Sequence, residues 1–409
     1  MKMYTKSLLF LALIAAILGL FAACGDSSKP RLVTVSGKTL ADKLEWLESN
    51  AVSNTGYLLK IRTAQQELVP HNLFYFGDNI TIHLKGIGKE KVVSLADNGS
   101  LFTINDGVTL IIENITLAGT SGNNSALVRI NSGGGLQLNK GAKISGNNGD
   151  AVNNNGGTFT MNGGEISGNS GGVRNDVTYI TIDGEYLTIN GTFTMNGGKI
   201  SGNTSLSSSA SGGVYNKGIF TMTGGEISAN IGGGVYNTGT FTMNDGKISG
   251  NTSSSFDGGG VHNGIIYTML DGIYLAVNGT FTMTGGEISG NTSSYGGGVS
   301  NFGIFTMENG KIADNICSIG GGVDNHGTFM MAGGTISGNS ALFYGGGVSN
   351  SITYTYTYEG YVPNVFFSMT GGEISGNTAA AYGDGVFVGS GTVLDKTGGT
   401  ITDNIEREN

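Results

Sequence analysis

The chain has 409 residues, of which 74 are glycine, three proline and one tryptophan, and only 12% are charged, a composition far from that of an ordinary mixed globular domain. Its formal net charge is −9, it contains five arginines, and no basic stretch is interleaved with aromatics, which excludes nucleic acid as an expected partner. Two cysteines cannot build a disulfide framework, so stability has to come from packing.

At the N-terminus Lys2 and Lys6 precede the apolar run SLLFLALIAAILGLFAA, which ends at Ala23 and is followed at once by Cys24. That order of positive, apolar and small residues reads as a bacterial signal peptide over residues 1–23. Phe21-Ala22-Ala23-Cys24 resembles a lipoprotein lipobox, with Phe21 where an aliphatic residue is usual. The resemblance implies an acylated Cys24, with CGDSSKPR (24–31) as a polar tether; a plain signal peptide or an uncleaved anchor is the alternative. The expected address is the cell envelope, on the outer membrane, surface-facing or periplasmic, with the membrane as a partner through the lipid.

Residues 32–106 read as an N-terminal cap and entry coils. TLADKLEWLES places Leu40, Leu44 and Leu47 on one helical face, suited to covering the first coil of a solenoid whose open end would be a sticky edge. The polar NIEREN near the other end is expected to cap in the same way.

Residues 107–409 repeat themselves. GTFTM, GIFTM or GTFMM begins at Gly157, Gly191, Gly218, Gly239, Gly279, Gly303 and Gly327, and periods of 20 to 50 residues signal solenoids or propellers. Each unit holds three very short strand patterns: TFTM turns Phe and Met to one side and Thr to the other, EIS or KIS turns in one isoleucine, and GGVYN turns in one valine. Glycine and asparagine fill the corners. Three strands, three corners and about 24 residues make one coil of a parallel β-helix; a propeller blade needs some 40 residues and four strands. The fold class expected is therefore all-β, a right-handed parallel β-helix. Stacking coils put like on like, giving a Phe ladder (Phe159, Phe193, Phe220, Phe241, Phe281), an Ile ladder (Ile166, Ile200, Ile227, Ile248, Ile288) and an Asn ladder (Asn169, Asn203, Asn251, Asn291).

One position obeys the opposite rule. The residue before each isoleucine runs Lys143, Glu165, Lys199, Glu226, Lys247, Glu287, Lys311, so signs alternate along successive coils. Identical charges stacked about 4.8 Å apart would repel, whereas alternating ones form cross-strand pairs. These residues are expected to be structural.

The GGGVxN and FTMxGGxISGN units resemble those of right-handed β-helix surface proteins of the pectin-lyase-like superfamily, and are similar to the short GGA[ILV] and FxxN repeats of polymorphic outer-membrane proteins. The likeness runs from about Val108 to the C-terminus and implies the fold strongly and an activity weakly. Lyases of that superfamily need an acidic calcium cluster and a basic proton acceptor; its hydrolases need two or three aspartates on one strand face. The residues that break the repeat, Asp257, His262, Asp314, Asp324, His326 and Asp384, fall at different coil positions and read as solvated surface, and the four histidines show no metal spacing. No enzyme, no metal and no cofactor is expected; a carbohydrate-active lyase or hydrolase is the alternative.

Three inserts leave the coil at one corner: DVTYITIDGEYLTIN (176–190), GIIYTMLDGIYLAVN (264–278) and SITYTYTYEGYVPN (351–364). Strand-like runs flank Asp183-Gly184 and Asp271-Gly272, the strongest short hairpin signal, and Glu359-Gly360 stands in the third. Three projecting β-hairpins, each three coils from the next, carry Tyr179, Tyr186, Tyr267, Tyr274, Tyr354, Tyr356, Tyr358 and Tyr361, which supply rigid amphipathic contact area. These hairpins either form a ligand-facing comb or fold flat and cover the coil. The expected function is a monomeric, non-catalytic surface adhesin or binding scaffold for a host protein or glycan, with purely structural or antigenic display as a further alternative.

Overall fold

The computed structural model describes residues 31–182, 185–205, 211–254, 258–270, 273–352 and 365–408. Residues 1–30, where a signal peptide, Cys24 and most of the tether are expected, and residues 353–364 of the third insert, with Tyr354, Tyr356, Tyr358 and Tyr361, lie outside them.

The chain winds as a right-handed parallel β-helix with three walls per coil. Every stacking contact between walls of successive coils is parallel and nearly all are in perfect register, for example Phe220 on Phe241 and Ile227 on Ile248, and Val214 on Val235. The TFTM wall and the isoleucine wall belong to one 25-stranded sheet, because Ile219–Ser228 and Thr240–Ser249 run through the corner between them without a break. The valine wall is a 14-stranded sheet in which thirteen strands stack in chain order and one is a hairpin partner off the path. Thirteen rungs at about 4.8 Å make a rod core roughly 60 Å long.

Strand alternation decides what fills the rod. Phe193 and Met195 are fully buried while Thr192 and Thr194 face out, and the isoleucines and valines of the other walls point into the same core. The phenylalanines stack from Phe159 through Phe367 with ring centroids 4.6–4.8 Å apart and planes within 8° of parallel. Methionine closes the corner that follows. Gly246 sits at φ +99°, and a Cβ there would lie 2.6 Å from Cε of Met222 in the previous coil and 2.9 Å from the Gly225 carbonyl. The glycine in FTMxGG is therefore required both by conformation and by the methionine stacked under it.

Asparagines hold two of the corners from inside. In the SGN ladder each side-chain amide donates to the next asparagine's Oδ1 and to the isoleucine carbonyl of the previous coil; Asn251 does so to Asn291 at 3.0 Å and to Ile227 at 3.0 Å. A second ladder, absent from the sequence expectation, runs through the third residue of VxN: Asn154, Asn175, Asn216, Asn237, Asn263, Asn301, Asn325 and Asn350, all fully buried and joined at 2.7–2.8 Å. Buried amides are costly unless bonded, and here each one ties its own coil to the next.

Helix α1 (Leu40–Asn50) starts with a capping box between Thr39 and Asp42 and buries Leu40, Leu44 and Leu47 over the first coil. At the far end Ile405–Arg407, from NIEREN, is itself a rung that pairs parallel with Val386–Val388 and leaves Ile405 and Arg407 exposed. Asp403 stands where the next ladder asparagine would be: its carboxylate accepts from the backbone N–H of Gly376 and Asn377 and from the Asn377 amide.

Candidate functional site

The first two inserts are antiparallel hairpins at the same corner of the coil. In the first, Val177 pairs with Asn190 and Tyr179 with Thr188. In the second, Ile265 pairs with Asn278 and Ile266 with Val277. Tyr186 stands opposite Thr181, Tyr267 opposite Ala276 and Tyr274 opposite Met269 in these ladders. Each hairpin grows from a valine-wall strand and returns through a glycine, Gly191 or Gly279, into TFTM. The hairpin roots Asn175 and Asn263 are three rungs apart, with Asn216 and Asn237 stacked between them.

Between the two hairpins lies an open trough of about 670 Å³. One wall is the Val177, Tyr179, Thr188, Asn190 face of the first hairpin; the other is Ile266 and Val277 of the second; the floor is made by the two uninterrupted corners, with Lys217, Ile219, Thr238 and Thr240. Tyr179 is 64% exposed and Val277 50%, so apolar surface is held open rather than folded onto the rod.

A charged cluster fixes the root of the first hairpin. Asp176 forms ion pairs with Lys217 at 3.5 Å and Arg174 at 3.6 Å, while Arg174 also donates to Asp150 at 3.2 Å and lies over the Tyr215 ring at 4.5 Å. Burial pushes the Asp150 carboxyl up, although Arg174 beside it pulls the other way. From Tyr215 a run of rings continues along the outer face of the valine wall through Tyr236, His262, Phe302 and His326, at centroid separations of 4.6–5.6 Å.

The alternating charges stand in one register from Lys143 to Lys311 on the isoleucine wall. Lys143 meets Glu165, Lys199 meets Glu226 and Lys247 meets Glu287, each at 3.2 Å. The Ser167 hydroxyl and then the Lys143 ammonium hold the Glu165 carboxyl below the usual carboxylate range, against the opposing effect of burial. These side chains are about 40% exposed, so each pair contributes little individually. Lys247→Glu places a third carboxylate between Glu226 and Glu287; a loss of about 0.5–1 kcal/mol in urea denaturation at low salt, partly recovered at high salt, is the expected result.

The repeat-breaking acids and histidines do not all lie at the surface as expected. Asp314 is exposed, Asp384 half-buried and Asp257 outside the described residues, but His262, Asp324 and His326 are buried. Asp324 is 0% exposed and bonds His326 Nε2 at 2.9 Å, while His326 Nδ1 meets the Ser351 carbonyl at 2.7 Å. The cause of burial is the loop before each valine strand: Gly320, at φ +69°, lets its backbone lie flat on the strand, where a Cβ would be 2.5 Å from Asp324 Cβ. Cys317, in the short strand Ile316–Ile319 that precedes Gly320 and pairs parallel with Ser340–Tyr344, is buried, and desolvation pushes its thiol up to about 12, which leaves it inert as a nucleophile. Among the described residues no group of three or more His, Cys, Asp or Glu side chains is placed to hold a metal ion.

No protein-family model, no curated protein and no solved structure matches the chain.

Proposed function

We propose that the protein is a non-catalytic binding scaffold of the cell envelope, a monomeric pectin-lyase-like lipoprotein that presents its ligand site on β-hairpins projecting from a rigid rod. The observation that carries this reading is the trough: a solenoid needs only its coils, yet two hairpins of matching design stand three coils apart and keep Tyr179, Ile266 and Val277 accessible on either side of it. Loops on a rigid scaffold are where binding residues concentrate. A carbohydrate-active enzyme would need an acid and a base at a solvent-accessible face; Asp324 and His326 meet but are closed off from solvent, and the partly exposed His83–Glu113 pair is tied up by Lys85, which also bonds Glu113.

Attachment follows from Cys24. Radiolabelled palmitate is expected to enter the protein, and Cys24→Ser to abolish the label; label that persists in the variant removes the anchor. Protease shaving of intact cells, with a periplasmic protein as control, then tests display: loss of the hairpins from whole cells supports an adhesin, and full protection restricts the scaffold to a periplasmic partner.

A further inference from the structure

Resting on the scaffold reading, we infer that the trough takes a single layer of uncharged sugar rings, a neutral glycan lying across the rod between Tyr179 on one side and Ile266 and Val277 on the other. The width of the trough decides the kind of occupant. Three rungs separate the hairpin roots, and the stacked rings beneath them advance 4.6–4.8 Å per rung, so the two hairpins leave the rod about 14 Å apart. Face-to-face β-layers pack about 10 Å apart, so an inserted strand or hairpin would need about 20 Å. That excludes a β-layer from any protein, including the hairpins of a second copy. With the side chains of each wall filling about half of that packing distance, the gap left is about 4 Å, the thickness of one ring.

The chemistry of the lining decides what ring. Tyr179 is 64% exposed and faces two aliphatic side chains, Ile266 at 36% and Val277 at 50%, which offers apolar contact on both flat faces. Around these faces stand neutral hydrogen-bonding groups, Thr188, Asn190, Thr240, Asn278 and Thr280, suited to the hydroxyls that ring a pyranose. An aromatic side chain from a protein has the same thickness but would leave those amides and hydroxyls unpaired on desolvation. Charge completes the argument. The charged residues lining the trough, Asp176 and Lys217, are paired with each other at 3.5 Å. The two inserts carry Asp176, Asp183, Glu185 and Asp271 and contain no lysine, arginine or histidine, so they repel a polyanion.

The test uses the full chain in detergent, titrated calorimetrically with neutral hexasaccharides of β-1,4-linked glucose and of β-1,4-linked N-acetylglucosamine, and with polygalacturonate as the acidic probe. Binding of a neutral hexasaccharide, weakened at least tenfold by Tyr179→Ala and abolished by Val277→Trp, which fills the gap, is the expected result. Both positions are exposed, so unchanged thermal melts are expected to accompany the losses. Polygalacturonate binding as tightly as the neutral probes, or neutral binding indifferent to both substitutions, overturns the inference. If neither neutral probe binds while removal of residues 265–278 still abolishes attachment to cells or matrix protein, the sugar-ring inference falls and the scaffold reading stands. If that removal changes no binding at all, the scaffold reading falls with it.

Discussion

Phe241→Ala is expected to destabilise the protein by about 3–5 kcal/mol, the cost of removing a fully buried aromatic side chain from a site that cannot collapse. Phe241 lies between Phe220 and Phe281 at 4.6 and 4.8 Å, and the coils that carry the three rings are pinned by parallel backbone hydrogen bonds and by two asparagine ladders. The neighbouring rungs cannot move inward without breaking those bonds, so the void persists. Because each coil contacts only its neighbours, the damage is local in a second sense: unfolding is expected to split into two transitions, one for the coils on each side of the defect. Chemical denaturation followed by circular dichroism reads both effects. A loss below about 1 kcal/mol would mean that the coils close over the gap and that stacking does not define the core.

The second large effect belongs to Asp324 and His326. His326 is 7% exposed, its Nδ1 faces a carbonyl oxygen and its Nε2 a carboxylate oxygen, an arrangement in which a protonated ring donates from both nitrogens when Asp324 is ionised. Burial by itself lowers the pKa of His326; the Asp324 charge, with the hydrogen bonds to Asp324 and Ser351, outweighs this and raises it above its ordinary value near 6.5. A histidine whose folded pKa is raised contributes stability that is fully present below the unfolded value near 6.5 and is lost as pH rises through the folded value. His326→Ala leaves the fully buried Asp324 uncompensated, and a loss of about 3–5 kcal/mol at neutral pH is expected, with much of it recovered in the double variant carrying Asp324→Asn as well. Thermal melts from pH 5 to 9, with the His326 ring signals followed by NMR, check the sign. A His326 that titrates below 6.5, or a parent protein whose stability rises between pH 7 and 9 through this group, contradicts the assignment.

What could be read from the residues, and what could not, divides along a physical line. The TFTM, KIS and GGV patterns have period 2 and recur at one coil length, so alternation alone says which side chains enter the core and repetition alone says which stack. The asparagine ladder through Asn216, Asn237 and Asn263 obeyed the same alternation, since the asparagine lies two residues after a buried valine; the polar side chain hid it from a search for apolar core. Asp324 and His326 likewise share a strand face two residues apart, but their burial depends on the segment Ile316–Gly320, a short strand and its turn, lying over the outside of the wall, and no periodicity announces that. The Asp-Gly pairs marked the hairpins, and the matching insert spacing placed them on one corner. The trough is a property of the distance between two inserts, set by how many coils are stacked between them, and it emerges only once the rungs are in register.

Removing Ile265–Asn278 tests the account most directly. The deletion leaves Asn263-Gly264-Gly279, the same length as the uninterrupted corner Asn237-Thr238-Gly239, keeps the bond from the Gly264 N–H to the Asn237 carbonyl, and leaves the stacking of Val261, Asn263 and Phe281 on their neighbours independent of the hairpin. A melting temperature within a few degrees of the parent, together with loss of most of the binding to cells, matrix proteins or glycans that the parent shows, is the predicted result. A rod that unfolds without the hairpin, or one that keeps every ligand of the parent, would contradict a scaffold whose inserts exist to bind.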